Sequence, residues 1–569
     1  MGADLAIINA KVITVDNDFS IQQAVAVKDD KITVVGTNED VKPHITSETR
    51  VLDLRGKPVL PGINDAHMHA TEFGAMRPPL ALDLTYETIK SIPEMIEALR
   101  KKVAEVKPGE WIRGFGWSPG TTEGDQNNPT RLPHRSDIDP VSPNNPVSFM
   151  DAAGHTLLVN SKALEIGGIS KYTPDPKTGE MERDPVTGEP TGIFMEMEAI
   201  AMISNAIPHL TREEKKQAII NTLDDLKRNG ITSYTEGAVG PGGDAYLYGL
   251  LGSEFIDVYA ELQKENRLTA RVNALLLLGK YGSLTMEDLQ DNIESLRLPR
   301  HMDKIWLNFP AIKIFADGIP SNYTAWMNED YVSGDAGHGV STIPGKTDQE
   351  QRDNLIEMIE YIHSKGFQIG VHAVGDRAID ATVDGFVRAI EKMPEKELRH
   401  YVIHGDFISA DKAKLLGKYR CGIVMQPSIA AIIADFEPEI VGEERAAYEW
   451  PTRTVLDAGA NLTSSSDAAA VYPNWRLGVQ DAVLREGRSS GIVSGPEECI
   501  TVEEAIRTYT INGAWQDHME DIKGSIEVGK LADFCVIDSD ILEVDPHQIG
   551  EIGVIMTIVG GKIVFDERG

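Results

Sequence analysis

Pro61-Gly62-Ile63-Asn64-Asp65-Ala66-His67-Met68-His69 is a run of strand length that ends on two histidines two residues apart. On a strand that spacing turns both imidazoles to one side, where a single metal ion can take both. The alternative is two unrelated polar residues near a turn, and a motif this short has many chance matches. Its weight comes from the rest of the chain. Seven more apolar runs of strand length end near Glu236, Leu278, Asp317, Asp376, Asp406, Gln426 and Asp467. Helical patterns lie between most of them. Thr347-Asp348-Gln349-Glu350 is a capping-box sequence. Leu355, Met358, Ile359 and Ile362 then mark one apolar helical face, and Gly366 fits the position just past the helix. Thr211-Arg212-Glu213-Glu214 opens another helix in the same way. Eight strands with intervening helices predict an α/β fold, a (β/α)8 TIM barrel with its chemistry at the C-terminal strand ends.

The two ends of the chain read differently from the middle. Residues 1–58 are short β runs such as Lys11-Val12-Ile13-Thr14-Val15, separated by turn residues. Ala532-Asp533-Phe534-Cys535-Val536-Ile537 and Val554-Ile555-Met556-Thr557-Ile558-Val559 continue that pattern at the C-terminus. A composite β domain of residues 1–58 and 525–569 is the simplest account. The barrel then takes residues 59–70 and 206–524. Residues 71–205 are far too long for a loop and read as an inserted subdomain over the site, with turns of an exposed hairpin arm near 174–190. Residues 320–346 read as a mobile cover.

Composition excludes several classes of function. A formal charge of −33 leaves no basic surface for nucleic acid. No apolar run reaches the length of a membrane span. Met1-Gly2-Ala3-Asp4-Leu5 lacks the basic-then-apolar pattern of a secretory signal, so a cytoplasmic protein is expected. Three cysteines without a CxxC pair favour small core residues over a disulfide framework.

Four further residues carry chemistry. Lys313 lies in Ala311-Ile312-Lys313-Ile314-Phe315, where alternation sets it apart from Ile312 and Ile314. Burial lowers a lysine's pKa, and a neutral amine can add CO2 to become a carbamate ligand. The competing reading is a structural lysine paired with an acid such as Asp317. His372 and His404 each end or nearly end a strand-like run, where a lone histidine is more often core or a substrate contact. Asp467 follows Leu462-Thr463-Ser464-Ser465-Ser466 and precedes three alanines, so it is either a helix cap or a proton-handling carboxylate. Independent structural explanations for all six residues are improbable together.

This order resembles the amidohydrolase superfamily, in particular its amidohydrolase-3 (YtcJ-like) branch, across nearly the whole chain. Gly56-Lys57-Pro58-Val59-Leu60-Pro61-Gly62 and Gly524-Ser525-Ile526-Glu527-Val528-Gly529-Lys530-Leu531-Ala532-Asp533 resemble the superfamily's passages between β domain and barrel. Gly154-His155-Thr156-Leu157-Leu158-Val159-Asn160, Lys313-Ile314-Phe315-Ala316-Asp317-Gly318 and His372-Ala373-Val374-Gly375-Asp376-Arg377 resemble the branch. The resemblance implies a distorted barrel, a flanking β-sandwich and one or two divalent metals, usually zinc. It implies His67 and His69 on the first metal, Lys313 as a bridging carbamate, His372 and His404 on the second, and Asp467 as ligand and proton shuttle. Trp117 and His155 would line the substrate side. Two departures are Ile403 before His404, where the branch often has an acid, and Tyr234-Thr235-Glu236-Gly237, where it usually has a His-Asp-like pair.

The expected function is hydrolysis of an amide or related C–N bond in a small molecule, of the N-acyl or N-formyl amine type, by a metal-activated hydroxide. The alternatives are a metal-dependent C–C lyase, decarboxylating or retro-aldol, on the same residues, and a non-catalytic scaffold. The latter predicts lost ligands, and here each expected position is filled. A homodimer is compatible with the resemblance.

Overall fold

The computed structural model describes residues 2–567 except 86–87, 119–121, 125–130, 153, 155, 177–178, 196, 205 and 281–282. The chain divides into two compact units. One holds Met1–His69, Leu223–Gly243 and Ser253–Gly569, and the other Ala70–Thr222 and Asp244–Gly252.

The first unit contains an eight-stranded parallel sheet. Its strands are β1 (Ile63–Met68), β2 (Ile231–Val239), β3 (Arg271–Leu276), β4 (Leu307–Phe315), β5 (Gln368–Ala373), β6 (Tyr401–His404), β7 (Gly422–Met425) and β8 (Asn461–Ser464). They neighbour one another in chain order, as a (β/α)8 barrel requires. Most strands are buried throughout, which is why they read as apolar runs. Ala66, Leu275, Ala311, Tyr401, Ile403 and Val424, from five different strands, meet in one interior cluster. The helix at Asp348–Lys365 begins with Thr347 accepting from Glu350 N and ends at Gly366, whose φ of 86° suits glycine.

The pairing stops between β8 and β1, which share no ladder among the described residues. The seam is closed by other bonds just above the strands. Asp467 N donates to His67 O at 3.0 Å, and His69 N donates to Ala468 O. The Asp65 carboxylate accepts from Ser466 N at 3.1 Å and Ser466 Oγ at 2.6 Å. The barrel is therefore distorted at the place where the HxH and Asp467 meet.

Two further sheets of this unit form the β-sandwich. Leu5–Ile8, Ala24–Lys28, Lys31–Gly36 and Arg50–Asp53 make one. The other combines Lys11–Ile13, Ile21–Gln22 and Pro58–Pro61 with Phe534–Ile537, Val554–Val559 and Lys562–Asp566. Ile7, Val12, Val27, Val59, Phe534, Val536 and Ile558 fill the space between them. The chain passes from Pro58–Pro61 into β1 across Gly62, where a Cβ would stand 2.0 Å from Thr232 Oγ1, so only glycine fits. Arg271 of β3 anchors the return strand through a buried bidentate pair with Asp533, at 2.8 and 2.9 Å.

The second unit is built on a six-stranded sheet that includes Ile112–Trp117, Val147–Asp151, Thr156–Val159 and Pro190–Met195, with the helix Ile92–Glu105. Leu84, Met95, Leu99, Ile112, Trp117, Phe149 and Ile193 share its core. Glu180–Arg183 and Pro190–Met195 pair antiparallel, and Asp184 caps the turn between them by accepting from Val186 N and Thr187 N. In the first unit, the segment after β4 is pinned: Asp317 accepts from Trp326 N at 2.9 Å, and Trp326 is fully buried.

Candidate metal centre

His67 is the fifth residue of β1 and His69 lies one residue past its end. Their rings stand edge to face, with centroids 5.3 Å apart. Both Nε2 atoms point at Asp467, with His67 Nε2 3.5 Å and His69 Nε2 3.7 Å from its Oδ1. Ligands on one tetrahedral zinc stand about 3.3 Å apart when bonds are about 2.0–2.1 Å. These three residues are the group among the described residues whose donor atoms lie within 4.8 Å of one another. Gly237 of β2 makes room for them, since a Cβ there would stand 2.7 Å from His67 Cε1 and 3.0 Å from His69 Cε1.

Lys313 comes up β4 on the same face as Ala311, which packs in the barrel interior. It is 1% exposed, and its Nζ lies 3.4 Å from His67 Nε2. Asp317 is not its partner. That carboxylate accepts instead from Trp326 N, Val374 N and Gly375 N, at 2.9, 3.1 and 2.8 Å. Asp467 follows β8 with a left-handed φ of 51°, a strained backbone for a non-glycine residue.

His372 and His404 face each other with ring centroids 4.6 Å apart, and His404 stands 6.1 Å from His67. Strict alternation does not account for His404, because Ile403 before it already packs inside the barrel. A φ of 74° at His404 turns the chain there and brings the ring to the cluster. Hydrogen bonds set the tautomer of each ring. His372 Nε2 faces the Gly318 carbonyl at 3.3 Å, so it carries the proton and Nδ1 keeps the lone pair. His404 Nδ1 donates to Gln426 Oε1 at 2.8 Å, which leaves Nε2 as its donor.

The electrostatics suit metal binding. Burial, then the Lys313 charge, pushes His404 down to about 3, and the same two causes with His404 beside it bring His69 to about 3. His67 and His372 also fall well below the usual histidine range, chiefly through burial. All four rings are thus neutral, the form that donates to a metal. Burial lowers Lys313 to about 7 against the pull of Asp467. A sizeable neutral fraction at neutral pH follows. His67 Nδ1 and His69 Nδ1 are buried and have no hydrogen-bond partner among the described residues.

The six side chains expected from the sequence therefore lie together at the C-terminal mouth of the barrel. The amidohydrolase family model matches residues 50–565. The chain belongs to the amidohydrolase family. The N-substituted formamide deformylase of Arthrobacter pascens is 28% identical over 571 residues, covering 100% of this chain and 99% of that protein. The YtcJ protein of Bacillus subtilis is 29% identical over 555 residues, 96% of each chain. A crystal structure of an uncharacterized metal-dependent hydrolase from Pyrococcus furiosus has a TM-score of 0.72 and 25% identity, covering 95% of this chain and 100% of that one.

Within this amidohydrolase the expected substrate-side residues fare differently. Trp117 is fully buried in the core of the second unit, and its indole N–H is used by Phe149 O at 3.0 Å. That is a packing position, and it presents no surface to a ligand. His155 lies outside the described residues. Sequence reasoning misses Asp65, Gly237 and Gln426 as parts of the site. Their sequence signals are faint: a buried acid before HxH, a glycine ending Tyr-Thr-Glu-Gly, and a polar residue closing an apolar strand.

Proposed function

We propose that this amidohydrolase is a metal-dependent hydrolase of an amide or related C–N bond, of the N-acyl or N-formyl amine type. One observation carries the reading: four imidazoles, a buried lysine and an aspartate cluster together, with Asp467 3.5 and 3.7 Å from the HxH nitrogens, Lys313 3.4 Å from His67, and the His404 ring 6.1 Å from His67 and 4.6 Å from His372. The donor set fits one or two divalent ions. His67, His69 and Asp467 would hold the first, His372 and His404 the second, with Lys313 between them. Nitrogen and oxygen donors of this kind suit zinc. When bound, such an ion polarises a carbonyl and brings water's pKa from about 15.7 to about 7.

The chain's own residues do the rest. Lys313, as a neutral amine, adds CO2 and releases one proton, becoming a second anionic oxygen donor, with Asp467, among four neutral rings. Asp467 takes the proton of the attacking water and returns it to the departing amine nitrogen, so water and amide become acid and amine. The seam bonds from Asp65 and His67 to residues 466–467 hold that carboxylate beside the rings. The formamide deformylase relative, matched end to end, supports the formyl amine class.

The test is a panel of N-formyl and N-acyl amines with metal-replete protein, scoring free amine. Amine release with carboxylic acid in equal amounts is expected. Carbon dioxide or aldehyde release without amine would replace the proposal with C–C cleavage, and no turnover by metal-loaded protein on the whole panel would reject the substrate class.

A further inference from the structure

Strand β7 supplies none of the six clustered side chains, yet its C-terminal neighbour touches one of them. Gln426 is fully buried and sits between three strands. Its Oε1 accepts from His404 Nδ1 at 2.8 Å. Its amide nitrogen donates to Ser465 Oγ of the β8 end at 2.9 Å and to Val424 O of β7 at 3.4 Å. The two ends of an amide are told apart by their partners. The Val424 carbonyl can only accept, so the NH2 faces it and the oxygen faces the imidazole. An amide oxygen can only accept in turn, so His404 Nδ1 must carry the ring's proton.

We propose that Gln426 is a positioning residue that locks His404 in the Nδ1–H tautomer, reserves Nε2 as its electron-pair donor, and fixes the ring's rotation by tying β6 to β7 and β8. This rests on the reading of the cluster as a metal centre. Histidine ligands commonly lean on a carboxylate or carbonyl in this way. A neutral amide orients the ring without adding another acid to a region that already holds the buried Asp317 and Asp406 and the half-buried Asp467. A free ring at this place could present either nitrogen. The left-handed backbone of His404 gives it no regular strand geometry to fall back on.

The test compares full-length wild type, Q426L and Q426E by zinc competition titration and by the absorption spectrum of the cobalt-substituted protein. Q426L keeps the volume and removes the acceptor, so it should weaken metal binding by about 10–100-fold, the usual cost of losing such a partner. Its cobalt spectrum should change as well. Q426E keeps an acceptor and should bind at least as tightly as wild type with a similar spectrum. A packing role predicts the reverse order, because Leu fills the site and a buried Glu does not belong there. Equal affinity and spectrum in wild type and Q426L overturns the proposal. Absence of metal binding by wild type overturns the metal-centre reading itself, a distinguishable outcome. If Q426L does not fold, side-chain 15N resonances of wild type decide, with His404 assigned from H404N: the Nδ1–H tautomer supports the proposal and Nε2–H overturns it.

Discussion

Gly237→Ala perturbs the HxH pair without touching either histidine. The added Cβ would lie 2.7 Å from His67 Cε1, 3.0 Å from His69 Cε1 and 3.2 Å from His67 Nε2. Ordinary contact begins near 3.4 Å, so the rings must retreat by about 0.7 and 0.4 Å. Metal–ligand distances tolerate only about 0.2 Å. Metal-free rings can swing away from the new methyl, so the overpacking cost of about 1–3 kcal/mol falls on the metal-bound arrangement, where each ~1.4 kcal/mol is tenfold in binding. Metal affinity should therefore fall about 10- to 100-fold. The backbone itself does not object, because Gly237 has no left-handed φ. Replacing glycine at such a position gains about 0.4–1 kcal/mol through the unfolded chain. The metal-free protein should thus melt within a few degrees of wild type while its zinc affinity drops, read by chelator competition on the same preparation. A G237A protein that holds zinc as tightly as wild type would refute the placement of the two rings as joint ligands.

Asp467→Asn should keep bound metal, measured by plasma mass spectrometry, and lose about 10²–10⁴ in kcat as a proton-transfer group is removed. Wild-type turnover in metal-replete D467N would remove Asp467 from that role. Exchange with 13C-labelled bicarbonate should give a carbamate carbon resonance in wild type that is missing from Lys313→Ala; the same spectrum from both would exclude the modified lysine. His400, buried against His363 at 2.7 Å, is held well below the usual histidine range by burial. The unfolded ring still titrates near 6.5, so the unfolded state binds more protons below that pH. The stability this ring contributes is complete above about pH 6.5 and falls by up to about 1.4 kcal/mol per pH unit beneath it. Urea melts between pH 7.5 and 5 should show a shallower acid loss in His400→Gln, and parallel curves would contradict this.

Much of the barrel is legible in the sequence because most of its strands are buried on both faces and read as apolar runs, most of them ending near a polar residue. Thr347 and Gly366 bracket their helix as their chemistry predicts. Lys313 follows from alternation, and its interior neighbour Ala311 explains why that works. His404 cannot be placed this way. Ile403 takes the inward position, and a positive φ, invisible in the sequence, turns the next ring inward as well. The seam between β8 and β1 is equally hidden, since its bonds join Asp65 to Ser466 across four hundred residues. Trp117 shows the opposite failure. A motif-based role could not reveal that the ring lies in a core of Leu, Ile and Phe side chains with its one donor satisfied.

Anomalous diffraction at the zinc edge, from crystals grown with zinc and without chelator, reads the convergence of the six side chains on a metal without recourse to activity. One or two peaks are expected within bonding distance of His67, His69 and Asp467, with any second peak on His372 and His404 and both adjoining Lys313. A zinc-saturated crystal with no peak among these six side chains, or with zinc bound only elsewhere, would contradict it.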